Sequence, residues 1–373
     1  MPGSGLGDLL AVNISTPGLS MMYPNVHCTA NFTVCQVTTG ESEINAAVTI
    51  TALALSPKLD LRLTYFLLAG IAGVNPKYAT LGGVALARFS VQVALQYEFD
   101  VREMPDNFST GYFSYGTSQP NQYPTTLYGT EVFEVNEALR DLAYTFALRA
   151  NLSDNEDCDS YRERYVPASD VYGAAAGAPL VVKCDTATSD VYWSGNLLSE
   201  AFENVTRLWT NGTGRYCMTA QEDSAILEAL TRASIGGLAD YSRIIVMRTG
   251  SNFDRPPPDM SSYDNLLVVQ QNGYRIAIEN IFLAGIEIVK GIIGNWDCAF
   301  RRGIHTSNYV GDIFGSLGGQ PDFGPGSLTG GIGVKGDSLA NSDTTKRDGG
   351  NCPPQAPLIR RHKVAYPVVR HRV

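Results

Sequence analysis

The sequence has 373 residues, of which 44% are hydrophobic and 17% are charged, a composition typical of a folded protein with a large core. The net charge of −9 argues against a nucleic-acid partner, because proteins that bind nucleic acids present a basic surface. No apolar run reaches the roughly 18–20 residues of a membrane-spanning helix, so we expect no transmembrane segment.

The first half of the chain predicts alternating strands and helices. Met1–Leu10 is glycine-rich and lacks the basic start and apolar core of a signal peptide. In chain order, hydrophobic periodicity then predicts a strand over Val34–Thr39, a turn over Gly40–Glu43, a helix over Ile44–Leu55, a buried strand over Tyr65–Ala69, a small-residue turn over Gly70–Gly73 and an extended segment over Gly83–Leu95. Glu131–Ala150 has helical spacing, and residues 153–170 are acidic and typical of a loop.

The second half continues the alternation. In order, it predicts a strand over Leu180–Cys184, helices over Leu197–Leu208 and Gln221–Gly236, a strand over Arg243–Arg248, a Pro-rich loop over Thr249–Pro258 and a helix over Ile276–Ile293. Strands that alternate with helices favour a three-layer α/β domain. We expect this single domain to cover residues 8–326, and a disordered, basic, Pro- and Gly-rich tail to cover residues 327–373.

Two features point to an oxidising compartment. Six Asn-x-Ser/Thr sequons, the acceptor pattern for N-glycosylation, occur at Asn13, Asn31, Asn107, Asn151, Asn204 and Asn211. Cys28 and Cys35 are separated by a short polar loop and could pair across a hairpin. The seven cysteines match no zinc or redox spacing, and scattered buried thiols are the alternative interpretation.

Several common chemistries find no support in the motifs. Gly331–Gly336 spells a dinucleotide-binding pattern, but no predicted strand precedes it. The four histidines lack metal-ligand spacing, and no Gly-x-Ser-x-Gly nucleophile motif occurs. The acidic stretch Asp154–Asp159 lacks the glycine of a calcium loop and is typical of a solvated loop. We therefore expect neither a cofactor nor a metal.

Four short motifs lie where predicted strands end, and open α/β sheets bind ligands beyond the carboxyl ends of their strands. The motifs are Gly40–Ala47, Gly70–Gly73, Thr219–Ala225 and Arg248–Asp254. In this order they resemble the fungal purine nucleoside permease family, which is in turn similar to the nucleoside phosphorylase and nucleosidase superfamily. The resemblance covers residues 8–326 and implies a nucleoside phosphorylase-like domain with a twisted mixed sheet.

Two departures from the family pattern limit what can be carried over. Family members usually begin with a signal peptide and a first strand whose end supplies a carboxylate, and we expect this chain to lack both. Residues from Ser327 onward are not part of the family pattern. For full-length members the resemblance implies an extracellular or cell-surface location. It also implies a purine nucleoside (inosine, guanosine or adenosine) as ligand, and it leaves a homo-oligomer open.

The resemblance implies a ribose and water site formed by Gly40, Glu41, Gly70, Ile71, Ala72, Gly73 and Gln221. Phosphorylases place a Ser or Thr in this site and add arginines that neutralise the phosphate. This chain has Ile71 there, and Glu41 and Glu43 would repel a phosphate. A sugar and a water therefore fit the site better than a phosphate, and the alternative is a tight turn with a packing role alone.

The implied chemistry is cleavage of an N-glycosidic bond. Glu222 matches the superfamily glutamate that binds the ribose hydroxyls, and a carboxylate there would stabilise positive charge on the sugar. Its alternative role is that of a first-turn partner of the helix dipole. Asn252 would donate to N7 of the purine, and Asp254 could act as the acid if its loop turned it inward. The residues implied to flank the base are Trp193, Asn196, Leu197 and Asn252, although Trp193 could equally be a core residue.

Three functions remain compatible with the sequence. The first is a nucleosidase-like hydrolase of nucleoside metabolism that acts on purine nucleosides, with phosphorolysis less favoured. The second is a nucleoside-binding component of purine nucleoside transmembrane transport. The third is a truncated, non-catalytic remnant. Release of free base from inosine, with and without phosphate, separates them.

Overall fold

The computed structural model describes residues 5–321 and residue 323. Its strands are β1 (Val12–Ser15), β2 (Asn25–Cys28), β3 (Cys35–Gln36), β4 (Phe66–Val74), β5 (Val84–Ala87), β6 (Phe89–Gln92), β7 (Tyr97–Glu98), β8 (Tyr112–Phe113), β9 (Val132–Glu134), β10 (Val181–Lys183), β11 (Asp185–Thr188), β12 (Tyr216–Ala220), β13 (Ile244–Phe253) and β14 (Gly311–Asp312). Its α-helices are α1 (Glu43–Leu55), α2 (Glu137–Ala147), α3 (Glu156–Arg162), α4 (Ser169–Tyr172), α5 (Asn196–Trp209), α6 (Asp223–Ile235) and α7 (Gly273–Gly294). The predicted domain end at residue 326 and the predicted tail over 327–373 lie outside the described residues.

The main sheet has nine strands in the order β10-β5-β13-β4-β12-β11-β6-β9-β14. Parallel and antiparallel pairs both occur in it, so the sheet is mixed, as predicted. Arg88 alone separates β5 from β6 along the chain, yet four strands lie between them in the sheet, because β5 pairs with β13 and β6 pairs with β11. The sheet therefore curls back on itself instead of staying flat.

The parallel strands β4 and β13 lie at the centre of this sheet. Side chains of β13 alternate between two helical layers, because successive residues of a strand point to opposite faces. Ile244 and Val246 belong to the apolar core that contains α1 and α6. Ile245 and Met247 belong to the core that contains α2 and α7. This is the three-layer α/β architecture that the sequence predicts.

On the side away from β13, β4 has an open edge. The register pairs Val74 with Met218 of β12, and no described strand pairs with that side of β4 between Phe66 and Gly73. Ala69 is exposed although it lies in the middle of a central strand. This opening forms one wall of the cleft described below.

The predicted turn over Gly70–Gly73 is wrong, because these residues continue β4 in an extended conformation. Neither glycine has a positive φ. Similarly, β13 continues to Phe253, past its predicted end at Arg248. The glycines are needed because side chains of neighbouring strands pass close over them: a Cβ on Gly73 would lie 2.9 Å from Oγ1 of Thr219.

Two other predictions of secondary structure are also wrong. The predicted helix over Glu131–Ala150 begins with strand β9, because Val132–Glu134 is fully buried and pairs with β6. Helix α2 starts only after Asn136, whose side chain caps it. Residues 153–170 contain α3 and the start of α4 instead of a loop. Asn155 caps α3, and the acidic residues that suggested a loop lie in its first turn, where the helix dipole favours them.

The structure contains two disulfides within the described residues. Cys28–Cys35 joins β2 to β3 in a small three-stranded sheet and confirms the predicted pairing. Cys184–Cys217 joins the residue that precedes β11 to strand β12, a pairing that the spacing in the sequence did not indicate. Both bridges therefore tie together segments that are neighbours in a sheet.

Candidate functional site

A cleft of about 2010 Å³ runs along the open edge of β4 and past the ends of β12 and β13. All residues predicted for the ribose and water site line it: Gly40, Glu41, Gly70, Ile71, Ala72, Gly73 and Gln221. Glu222, Asn252 and Trp193 line it as well. The fold thus gathers segments that lie far apart in the sequence at one end of the sheet.

Glu222 immediately precedes helix α6 and is held from two directions. Its Oε2 accepts a hydrogen bond from Nη2 of Arg248 at 2.9 Å, and its Oε1 accepts one from the backbone N–H of Ser42 at 3.2 Å. The side chain is 15% exposed, so it reaches the cleft. Each oxygen keeps a second lone pair for a ligand donor. The carboxylate is therefore fixed in place and still able to bind.

Arg248 is a buried cation that lies between carboxylates. Its Nε donates to Oδ1 of Asp223 at 3.1 Å, and its Nη1 donates to the carbonyl of Ile71 at 3.3 Å. Burial acts to lower the pKa of Arg248, but Asp223 and Glu222 outweigh it and raise that pKa. Gly70 leaves the space that the guanidinium needs, because a Cβ there would lie 2.3 Å from Nη1.

A further carboxyl group lies near Glu222 at the start of α1. Oε1 of Glu43 accepts from Nε2 of Gln92 at 2.6 Å, and the backbone N–H of Glu43 donates to Oδ1 of Asp190 at 2.7 Å. Burial raises the pKa of Glu43; the bond from Gln92 acts against this, and the charges of Asp190 and Glu222 raise it further. This end of the sheet therefore concentrates negative charge.

Asn252 lies near the end of β13 with its amide in the cleft. Its Oδ1 accepts from the Ser251 hydroxyl at 2.8 Å, whereas its Nδ2 makes only a long contact of 3.5 Å with the carbonyl of Phe253. Tyr192 also lines the cleft and is 57% exposed. The amide nitrogen is therefore the group of Asn252 that can donate to a ligand.

The structure does not bring Asp254, Asn196 or Leu197 into the lining of the cleft. Asp254 is 1% exposed, and its carboxylate accepts from Nε of Arg255 at 2.9 Å and from the Tyr216 hydroxyl. Turning Asp254 inward would leave Arg255 buried without this partner, which is costly. Asn196 and Leu197 begin α5, where Leu197 is 83% exposed.

Trp193 touches the cleft but behaves as a core residue. It is 5% exposed, and its ring packs edge-on against Phe202 with 4.8 Å between the ring centroids. Its neighbour Tyr192, which the sequence did not single out, is an exposed aromatic residue of the cleft. Arg248 was also missed as a functional residue. Its signal was present, because a cation at the end of an apolar run needs partners when it is buried.

The fold and this cleft define an α/β protein in which an arginine and a backbone N–H hold a carboxylate at the ends of the strands. A model of the purine nucleoside permease (NUP) family matches residues 5–305, and the chain belongs to that family. A purine nucleoside permease of Candida albicans is 49% identical over 322 residues, which cover 85% of this chain and 78% of the relative. A probable purine nucleoside permease of Schizosaccharomyces pombe is 42% identical over 301 residues, which cover 79% of this chain and 85% of the relative.

Solved structures of low sequence identity also align with this chain. An MTA/SAH nucleosidase of Streptococcus pneumoniae in complex with 8-aminoadenine is 15% identical, covers 75% of this chain and 92% of its own, and has a TM-score of 0.41. A futalosine hydrolase of Helicobacter pylori is 11% identical, covers 73% of this chain and 83% of its own, and has a TM-score of 0.40. These values are too low to transfer the role of any residue.

Proposed function

We propose that this chain binds a purine nucleoside in the cleft and hydrolyses its N-glycosidic bond. The observation that carries the proposal is the carboxylate of Glu222, which Arg248 and the Ser42 amide hold in the wall of the cleft. The names of the relatives, purine nucleoside permeases, support a purine nucleoside as the ligand.

The proposed chemistry depends on charge that develops on the sugar. As the base departs from C1′, positive charge builds on the ribose ring. A carboxylate already fixed beside the ring stabilises that charge without having to reorganise during the reaction. Glu222 takes this role in the proposal, and its remaining lone pairs accept hydrogen bonds from ribose hydroxyls.

Hydrolysis fits the charges of the cleft better than phosphorolysis. Arg248 is already paired with Asp223 and Glu222, so its charge is not available to a phosphate. Glu41 in the cleft lining and the nearby Glu43 add negative charge at the same end of the sheet. We therefore propose water as the nucleophile.

The purine base is proposed to bind between Asn252 and Tyr192. The Asn252 amide nitrogen can donate to N7 of the base, because its oxygen is engaged by Ser251. The exposed ring of Tyr192 offers a flat surface on which a purine can stack.

A second function, a nucleoside-binding component of purine nucleoside uptake, is favoured by the names of the relatives. In this case the same cleft would hold the nucleoside without breaking the glycosidic bond. Among the helices that the structure describes, none combines the length and apolar character needed to cross a bilayer. The two functions differ in turnover and share the binding site.

We also propose that the chain works in an oxidising location, outside the cell or at its surface. The disulfides Cys28–Cys35 and Cys184–Cys217 support this proposal, because disulfides persist in oxidising compartments and are rare in reducing ones. Alkylation of the purified native protein before and after reduction tests it. All four cysteines should react only after reduction, and reaction of all four without a reductant would refute the proposal.

Calorimetric titration with inosine tests the binding step. We expect Glu222→Gln to weaken binding by about 1.5–3 kcal/mol, the range for a hydrogen bond to a charged group. Glu228→Gln is the matched control, because Glu228 lies on α6 and pairs with the exposed Arg232 instead of Arg248. Equal affinities for the wild type and Glu222→Gln would remove Glu222 from the site.

A further inference from the structure

The six sequon asparagines have one property in common: all are exposed to solvent. The remaining thirteen asparagines of the described residues are distributed differently, and four of them are exposed. Four others are buried, namely Asn75, Asn136, Asn265 and Asn280. The sequons therefore do not sample the asparagines of this fold at random, as chance occurrences of a three-residue pattern would.

The side-chain amide nitrogens separate the two groups further. In the described residues, no hydrogen bond from Nδ2 is formed by any of the six sequon asparagines. Ten of the other thirteen donate from Nδ2, namely Asn45, Asn75, Asn121, Asn136, Asn252, Asn265, Asn272, Asn280, Asn295 and Asn308. Nδ2 is the atom to which an N-linked glycan is attached, so every sequon leaves its reactive atom available.

In two of the sequon asparagines, contacts of the amide oxygen with other protein groups also fix the orientation of the side chain. Oδ1 of Asn13 contacts Nδ1 of His27 at 2.6 Å. Oδ1 of Asn31 accepts from the Thr29 hydroxyl at 2.8 Å and from the backbone N–H of Thr33 at 3.2 Å. In both cases the oxygen is used within the protein, and the nitrogen is left unbonded.

We infer that Asn13, Asn31, Asn107, Asn151, Asn204 and Asn211 are N-glycosylation sites. In the reaction, a bond forms between Nδ2 and the anomeric carbon of an oligosaccharide, and the bond from that carbon to the diphosphate of a lipid-linked donor breaks. Nδ2 loses one proton, and the lipid diphosphate departs as the leaving group. The inference rests on the asparagines themselves and does not depend on the proposed nucleoside chemistry.

Glycans at these positions are compatible with an accessible cleft. Of the six asparagines, Asn31 lines the cleft, and the other five do not. Asn204 lies on the exposed side of α5, and Asn211 follows the end of that helix with a positive φ of 52°. Five glycans would therefore cover surface outside the cleft, and one would stand at its rim.

Mass spectrometry of the full chain, secreted by a eukaryotic host behind a cleavable leader, tests the inference. Treatment with a peptide N-glycosidase in heavy-oxygen water converts each glycan-bearing asparagine into a labelled aspartate. We expect label at the six sequon positions and none at Asn45 or Asn196, which are exposed but lie outside sequons. Label at fewer than three of the six positions in protein recovered from the medium would overturn the inference.

Single Asn→Gln variants give an independent readout, since each should remove one step from the ladder of glycoforms on a gel. The asparagine is the residue to change, because the sequon hydroxyls have structural roles. The Thr206 hydroxyl donates to the carbonyl of Phe202 at 2.9 Å, and the Ser153 hydroxyl donates to Oε2 of Glu279 at 2.5 Å. Six variants with the mobility of the wild type would overturn the inference even if the protein carried sugar elsewhere.

Discussion

Arg248 lies opposite Gly70 in the register of β13 and β4, and its side chain crosses the glycine to reach Glu222 at 2.9 Å. The crossing is possible because Gly70 has no Cβ to block the guanidinium. The same side chain pairs with Asp223, which is completely buried. The position of the Glu222 carboxylate therefore depends on a glycine and an arginine of two neighbouring strands.

Arg248→Met should destabilise the fold as well as the site. The substitution leaves the buried Asp223 without its cation, and breaking a buried ion pair costs about 3–5 kcal/mol of unfolding free energy. Urea unfolding measures the loss. Arg232→Met is the control, because Arg232 is 77% exposed and its pair with Glu228 contributes under about 1 kcal/mol. Similar losses in the two variants would contradict the structural role of Arg248.

Gly70→Ala should weaken nucleoside binding although the substitution removes no charged group. The new Cβ would lie 2.3 Å from Nη1 of Arg248, so the guanidinium must move away from Glu222. Such overpacking should also cost about 1–3 kcal/mol of unfolding free energy. At Gly285 in α7, a Cβ would meet Leu67 and Met247 at an ordinary 3.5 Å.

Gly285→Ala is therefore the matched control for this substitution. It should leave binding unchanged and stabilise the fold by up to about 1 kcal/mol, because alanine is favoured over glycine inside a helix. Calorimetric affinities for inosine and urea unfolding curves of both variants check the prediction. Unchanged affinity in Gly70→Ala would mean that Arg248 does not need this gap.

Glu43 should give the stability a specific dependence on pH. Burial raises its pKa above the usual value of 4.5, so the folded state binds more protons than the unfolded state just above that pH. Its contribution to stability is therefore complete below pH 4.5 and is lost as pH rises through the folded pKa. Glu43→Gln cannot lose a proton, so the variant should gain stability relative to the wild type across this window. Urea unfolding over a pH series measures the difference, and parallel curves would contradict it.

Asn252→Asp should change the preference between purine bases. The NH2 group of Asn252 carries two donors, and N7 and O6 are adjacent acceptors in inosine and guanosine, whereas an aspartic acid can carry a proton to N7 of adenine. We expect the wild type to prefer inosine over adenosine by about 1–3 kcal/mol, the cost of one mismatched buried polar group. The substitution should shift the ratio of affinities towards adenosine.

Asp254→Asn supplies the control for this test of base preference. Asp254 does not line the cleft, and its carboxylate belongs to the pair with Arg255, so this variant should lose stability and keep the base preference of the wild type. A shift of preference in Asp254→Asn, with none in Asn252→Asp, would reverse the assignment of the two residues.

The sequence predicted the helices better than the strands. Amphipathic spacing located α5, α6 and α7 to within a few residues, because each buries one stripe against the sheet. Gly70–Gly73 was predicted to be a turn, and Gly250 was placed in a predicted loop. In the structure these glycines lie within strands, where they allow neighbouring side chains to pack closely. Val132–Glu134 was assigned to a helix because three buried residues carry too little periodicity to distinguish the two structures.

The site was predictable in part. The rule that ligands bind beyond strand ends brought Glu222 and Asn252 to the same cleft, as the structure also does. The role of Arg248 depends on its register with Gly70, which a sequence without a known strand pairing does not reveal. Asp254 differs from Asn252 by two positions along the chain but lies outside the cleft, because Arg255 and Tyr216 bind its carboxylate.

The central claim is hydrolysis of a purine nucleoside, and the release of base from inosine tests it most directly. The protein is incubated with inosine in phosphate-free buffer and in phosphate buffer, and hypoxanthine, ribose and ribose phosphate are measured by chromatography. Hydrolysis predicts equal amounts of hypoxanthine and free ribose in both buffers, with release abolished in Glu222→Gln. Binding of inosine without release of base in either buffer would contradict hydrolysis and support a transport component. Release that requires phosphate and yields ribose 1-phosphate would also contradict hydrolysis.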